Sequence, residues 1–163
     1  MKHLSLLLCV LSLILQSCAF SDSETEKKLD GTWRHTEIET EDGAEMRYTE
    51  NITYNAADHT FTIEMDMKIV NPIVMDLGTL TASGTWKASR DKIMGEINPT
   101  SVNVNLNSAV IDGSEAAELR AEMMLELEKS DYVDGGAIRS LTTDKLVLYD
   151  EIEHEEYTYT KVN

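Results

Sequence analysis

The sequence predicts a mainly β protein: an antiparallel, up-and-down β-barrel with one amphipathic α-helix inserted before the last strands. Three observations predict it. After Leu29, apolar residues recur at every second position through most of the chain, the period of half-buried strands. Turn-forming residues separate these runs at intervals of about 8–12 residues, the spacing of antiparallel sandwiches and barrels. Strands do not alternate with long helical crossovers, which argues against a parallel, doubly wound sheet.

In chain order, residues 1–20 read MKHLSLLLCVLSLILQSCAF. Lys2 and His3 precede an apolar run from Leu4 to Leu15, too short to span a bilayer as a helix. This is the pattern of a secretory signal peptide. The run ends in Leu15-Gln16-Ser17-Cys18, which resembles the lipobox of bacterial lipoproteins, with Leu three residues before the cysteine and a small residue directly before it. That resemblance implies a signal peptide over residues 1–17, cleavage before Cys18, a diacylglycerol thioether on Cys18 and acylation of its new amino group. The alternative is ordinary signal cleavage after Ser17-Cys18-Ala19. Two or more acyl chains attach a protein stably to a membrane, where one does so only marginally. Cys9 leaves with the signal and Cys18 is capped, so no disulfide, cysteine-ligated metal or catalytic thiol is expected.

Residues 18–28 continue through AFSDSETEKK, polar and without apolar periodicity, and read as a lipidated flexible tether. Ten such residues extend at most about 35 Å and typically about 18 Å. Ala19 follows the cysteine where an Asp favours inner-membrane retention, so the resemblance places the protein at the outer membrane or cell surface of a Gram-negative bacterium. Asp22, Glu24 and Glu26 fit a surface-export tether or a plain solvated linker.

The domain proper covers residues 29–163. Strands are expected at Thr32–Glu39, Glu45–Tyr54, His59–Val70, Leu80–Ala88, Lys92–Asn98, Ser101–Ser108, Ala137–Leu141, Lys145–Asp150 and Glu155–Lys161. The clearest puts Phe61, Ile63, Met65, Met67 and Ile69 on one face and Thr62, Glu64, Asp66 and Lys68 on the other. Asp42-Gly43, Asn55-Ala56-Ala57-Asp58, Ser89-Arg90-Asp91, Asn98-Pro99 and Thr143-Asp144 supply the turns. Ser114–Lys129 differs: Ala116, Leu119, Met123 and Leu127 form one stripe beside Met124, and Ser114 or Asp112 can cap the start. This helix should lie against the sheet or close one end of a barrel.

Composition narrows the function. Fourteen Lys and Arg against thirty Asp and Glu give −16, and −17 once the signal's lysine is removed. So acidic a chain is no partner for nucleic acid, which needs a basic face, and its body is repelled by anionic membrane surfaces. The lipid, rather than the domain, does the holding.

Leu29-Asp30-Gly31-Thr32-Trp33, repeated in part by Gly84-Thr85-Trp86, resembles the G-x-W of lipocalin-type barrels. That likeness implies a lipocalin/calycin-like barrel with a Trp packed across its base and a small apolar ligand inside. Trp33, Tyr48, Met65, Met67 and Trp86 would line or floor such a cavity. Two departures are plain: the other loop signatures of lipocalins are not visible, and the helix precedes the last three strands.

Candidate chemistry is sparse. His35 and Glu37 share a strand face and place two metal ligands together, but zinc needs three or four and no HxH or HExxH occurs. No metal and no cofactor is expected. Glu50 shares the register of Met46, Tyr48, Ile52 and Tyr54, and is either a polar contact in a ligand cavity or a residue at a bulge or rim. Met65, Met67, Met94, Met123 and Met124 suit either a pocket for variable apolar ligands or an irregular core. No nucleophile motif, P-loop or dinucleotide fingerprint occurs, so no catalytic residue is assigned and no enzyme is expected. Two readings remain: a monomeric, membrane-anchored barrel that binds a small apolar ligand, or a filled barrel used as a protein-interaction or inhibitor module. Cavity volume separates them.

Overall fold

The computed structural model describes residues 23–41, 43–114, 116–121, 136–151 and 154–162. The alternating segments form β1 (Gly31–Glu41), β2 (Ala44–Asn55), β3 (Thr60–Asn71), β4 (Met75–Ala88), β5 (Ile93–Ile97), β6 (Asn103–Leu106), β7 (Ala137–Leu141), β8 (Lys145–Tyr149) and β9 (Glu156–Val162). All pairings are antiparallel, in the order β5-β4-β3-β2-β1-β9-β8-β7, with β6 also on β4.

β5 and β6 act as one interrupted strand. Both pair with the same edge of β4, β5 along Gly84–Ala88 and β6 along Gly78–Thr81. Between them, Pro99–Ser101 form a 3-10 turn, with Asn98 capping it by accepting from the Thr100 amide. Ser101 Oγ holds this turn to β4, accepting from the Ser83 amide and donating to the Ser83 carbonyl, both at 2.9 Å. The nine strands among the described residues therefore make an eight-strand wall. It nearly closes where Ile138 N donates to Asp91 O at 2.7 Å and Lys92 bridges Ala137. The antiparallel, nearly closed barrel that the alternation predicts is what forms.

Residues 23–28, expected to belong to the flexible tether, instead belong to a helix, α1 (Ser23–Leu29). Glu24 pairs with Lys28 one turn on at 2.9 Å, and acids in the first turn with lysines in the last suit the helix dipole. A seven-residue helix is unstable alone. Docking supports it: Leu29 is fully buried at the end of the barrel, and Glu26 Oε1 lies 3.2 Å from His59 Nε2. A tether reading from the lack of apolar periodicity missed this, because one anchoring leucine needs no period.

Residues 113, 114 and 116–121 are helical. Asp112 caps this turn, accepting from the Ser114 amide at 2.8 Å. Ala116 and Leu119 pack against Met67, Leu80, Val104 and Leu106, so the segment lies over inward-facing residues of β3, β4 and β6. The remainder of the expected helix, with Met123, Met124 and Leu127, lies outside the described residues, as do the signal peptide and Cys18.

Cross-strand register stacks the interior in rows. The lowest joins Gly84, Phe61, Tyr54 and Gly31, and the next Ala82, Ile63, Ile52, Trp33 and Lys161. With Leu29, Trp86, Ala88, Ile93, Leu146, Leu148 and Tyr159, most of these form one buried cluster that fills this end of the barrel. Gly84 is required here. A Cβ would sit 2.8 Å from carbons of the Phe61 ring and against the Glu96 carbonyl. Met94, counted with the interior on composition, is exposed, because Ile93 takes the inward register and its neighbour must face out.

Candidate ligand-binding site

Trp33 and Trp86 form the floor. Trp33 is fully buried, and its indole N–H donates to the Leu29 carbonyl at 2.6 Å, tying α1 to the barrel end. Lys161 Nζ lies 5.0 Å above the same ring and donates to the Lys28 carbonyl at 3.0 Å, so it also caps the C-terminal end of α1. Trp86 Nε1 donates to the Thr60 carbonyl at 2.9 Å and packs edge-on against Tyr54. Both indoles are thus packed and hydrogen-bonded, as large buried aromatics with a polar atom require.

Above the floor the rows change character. The third runs Leu80, Met65, Glu50, His35 across β4, β3, β2 and β1, and continues through Tyr159 and Leu146 on β9 and β8. The fourth runs Gly78, Met67, Tyr48, Glu37, with Tyr157 beside it, 5.7 Å edge-on from His35. Glu50 stands in regular pairing with His35 and Met65, while the irregularities of β2–β3 and β3–β4 fall at Glu45/Met46 and Met67/Lys68. Glu50 therefore lies on the inward register and not at a bulge.

The Glu50 carboxylate accepts from Tyr159 Oη at 2.7 Å. Burial pushes its pKa above the ordinary value of 4.5, against the opposing pull of the Tyr159 hydroxyl and the nearby His35. His35 Nδ1 meets the Thr158 carbonyl at 2.9 Å; a carbonyl only accepts, so this nitrogen carries the hydrogen. The other nitrogen, Nε2, is buried without a hydrogen-bond partner, with Glu37 Oε2 3.9 Å away. Leaving such an atom unsatisfied costs about 1–3 kcal/mol.

The five residues expected to line or floor a cavity separate into two groups. Trp33, Trp86 and Met67 are buried in packed clusters, whereas Tyr48 and Met65, on the inward register, are only partly buried and pack against the Met67 cluster. Glu50, His35 and Tyr157, on the same inward register, are also only partly buried. Tyr157 and Tyr159 were not singled out from the sequence. The available signal was their spacing of two in the final strand, which puts both rings on one face.

His35 and Glu37 do share a face, yet among the described residues no three His, Cys, Asp or Glu side chains are grouped to hold a metal ion. Among the same residues, no helix is long and apolar enough to cross a membrane. An open concavity of about 510 Å³ is lined by Val102, Asn103, Val104, Asn105 and Arg120, whose Nε donates to the Val104 carbonyl at 3.1 Å. Comparison with known proteins finds no family model and no curated protein that matches the chain.

Proposed function

We propose that this chain is a lipid-anchored binding protein of lipocalin-like type, held at the outer membrane or cell surface by acyl chains on Cys18, with a small apolar ligand inside its barrel. One observation carries the reading. Inward-facing Tyr48, Glu50, Met65 and Tyr157 keep accessible surface above the buried cluster of the floor. Side chains that point into a nearly closed barrel and still touch solvent line a space rather than fill one. The partly covered Met65 adds an adaptable apolar wall.

The lipocalin-like assignment rests on the up-and-down order and on the Gly-Thr-Trp at the start of β1, whose indole packs across the filled end. α1 is docked at that end through Leu29, and on this reading an anchor on Cys18 leaves the opposite end of the barrel facing away from the membrane. The helix before the last three strands belongs to the same reading, as a partial cover over Met67 and Leu80.

A second reading, a filled barrel that serves as a protein-interaction or inhibitor module, is favoured by the packing of Met67 and both tryptophans into buried clusters. Native mass spectrometry of the full chain, released from membranes in gentle detergent, separates the two. A retained small-molecule adduct that disappears in Met65→Ala supports the binding protein. A clean apo mass across detergents directs the search to protein partners.

A further inference from the structure

We infer that the closed end of the barrel docks on the anionic headgroups of the membrane that holds the anchor, through Lys27, Lys87, Arg90 and Lys145. This rests on the anchored-protein reading and deepens it by giving the barrel an orientation. A net charge of −16 spread evenly would repel such a surface, but the charge is sorted along the barrel. Because the strands run up and down, α1 and the β2–β3, β4–β5 and β7–β8 turns share the closed end, and the β1–β2, β3–β4 and β8–β9 turns share the open one. Beside the open-end turns, Glu45, Asp76, Glu155 and Glu156 outnumber Arg47 and Lys68.

At the closed end the cations reach outward and the acids do not. Lys27, Lys87, Arg90 and Lys145 are exposed, and none of the four forms an ion pair among the described residues. They stand on adjoining elements: α1 packs against β4 and β7, and the β4–β5 turn meets β7 where Asp91 O accepts from Ile138 N. The Lys161 amide donates to the Asp144 carbonyl and its Nζ to the Lys28 carbonyl, which brings the β7–β8 turn beside α1. The acids there are spent on the fold. Asp30, Asp58, Asp91 and Asp144 accept from Ala56 N, Thr60 N, Ser89 Oγ and Thr142 Oγ1, and Glu24 and Glu26 pair with Lys28 and His59. A short carboxylate held against its own turn stays close to the backbone, whereas Lys and Arg carry their charge on long stems to the outermost layer.

Two lengths decide which surface that layer meets. Ser23 opens α1, so the five residues from Cys18 allow the closed end no more than about 18 Å from the bilayer. β1 has eleven residues; at about 3.3 Å each and tilted by about 40°, they set the two ends about 25 Å apart. The Debye length in physiological salt is about 8 Å, so a bilayer touching the closed end is screened from the acids of the open end. Acyl chains and a basic patch are two signals that together give stable attachment. A nucleic acid offers similar phosphates, but nothing tethers the closed end to one.

The test is chemical footprinting of the acylated full chain on two kinds of vesicle, phosphatidylcholine alone and equal parts of phosphatidylcholine and phosphatidylglycerol. The reagent is uncharged N-hydroxysuccinimidyl acetate, read by mass spectrometry, and flotation with the pure phosphatidylcholine vesicles reads the anchor by itself. Acetylation of Lys27, Lys87 and Lys145 is expected to slow at least threefold on the anionic vesicles, that of Lys68 to stay unchanged, and the difference to vanish in high salt. Combining Lys87→Gln, Arg90→Gln and Lys145→Gln, all at exposed positions that leave the core untouched, is expected to abolish the slowing at Lys27. Equal acetylation on both vesicles, equal slowing at Lys68, or protection of Lys27 that survives the triple substitution overturns the docking and leaves the anchor standing. Failure to float on phosphatidylcholine overturns the anchor and the docking with it.

Discussion

Trp33 is the residue whose removal tests the architecture of the closed end most directly. Its side chain is 0% exposed, and its N–H reaches the Leu29 carbonyl at 2.6 Å. Trp33→Ala deletes a fully buried indole from a well-packed cluster, a change that costs about 3–5 kcal/mol. It also strands a buried carbonyl and removes the ring beneath Lys161. Since small domains are stable by only about 5–15 kcal/mol, a fifth or more of the stability is at stake. Trp33→Phe keeps a ring in place and removes the donor; its cost should fall near 1–3 kcal/mol, the penalty of an unsatisfied buried group. Urea unfolding followed by circular dichroism measures both. Limited trypsin cleavage after Lys27 and Lys28 supplies a local readout, because α1 is docked through the same carbonyl and should be cut sooner in both variants. A Trp33→Ala loss below about 1 kcal/mol, or unchanged cleavage at α1, would refute the claim that this indole joins helix and barrel.

Three further outcomes are expected. Gly84→Ala should destabilise by about 1–3 kcal/mol through overpacking, since the added methyl meets the Phe61 ring and the Glu96 carbonyl; denaturant midpoints check this. Ser101→Ala removes both bonds to Ser83 and should cost about 1–3 kcal/mol, with faster amide exchange at Ser83 as the local sign. Glu50 governs a pH dependence. Its folded pKa is raised by burial, so between about 4.5 and the folded value the folded chain holds a proton that the unfolded chain has released. The corresponding stability is fully present below about 4.5 and is lost as pH rises through the folded value. Glu50→Gln should therefore be more stable than the parent at neutral pH and flatten that part of the profile in thermal melts across pH; a parallel profile counts against the assignment.

Much of the fold was legible because a half-buried strand writes its burial into the sequence with a period of two. β7 was placed at Ala137–Leu141 to the residue, and β2 and β3 were placed to within a residue or two. The start of β4 was missed by five residues, since Met75-Asp76-Leu77-Gly78-Thr79 breaks the alternation at a register shift opposite Met67/Lys68. α1 was missed for another reason: its stability comes from Leu29 and Glu26 docking on distant residues rather than from its own pattern.

The candidate site divides along the same line. That His35 and Glu37 share a face, and that Glu50 lies on the apolar side of its strand, follows from strand periodicity within single segments. The convergence of His35, Glu50, Tyr157 and Tyr159 depends on pairing β1 with β9, which brings together residues more than a hundred positions apart. The sequence by itself determined the alternation, the turns and the charge, because each is a local property of neighbouring residues. Only the tertiary structure decided which end of the barrel is filled, and which polar groups face one another inside it. Those depend on long-range register, and no local pattern encodes the partner of a strand.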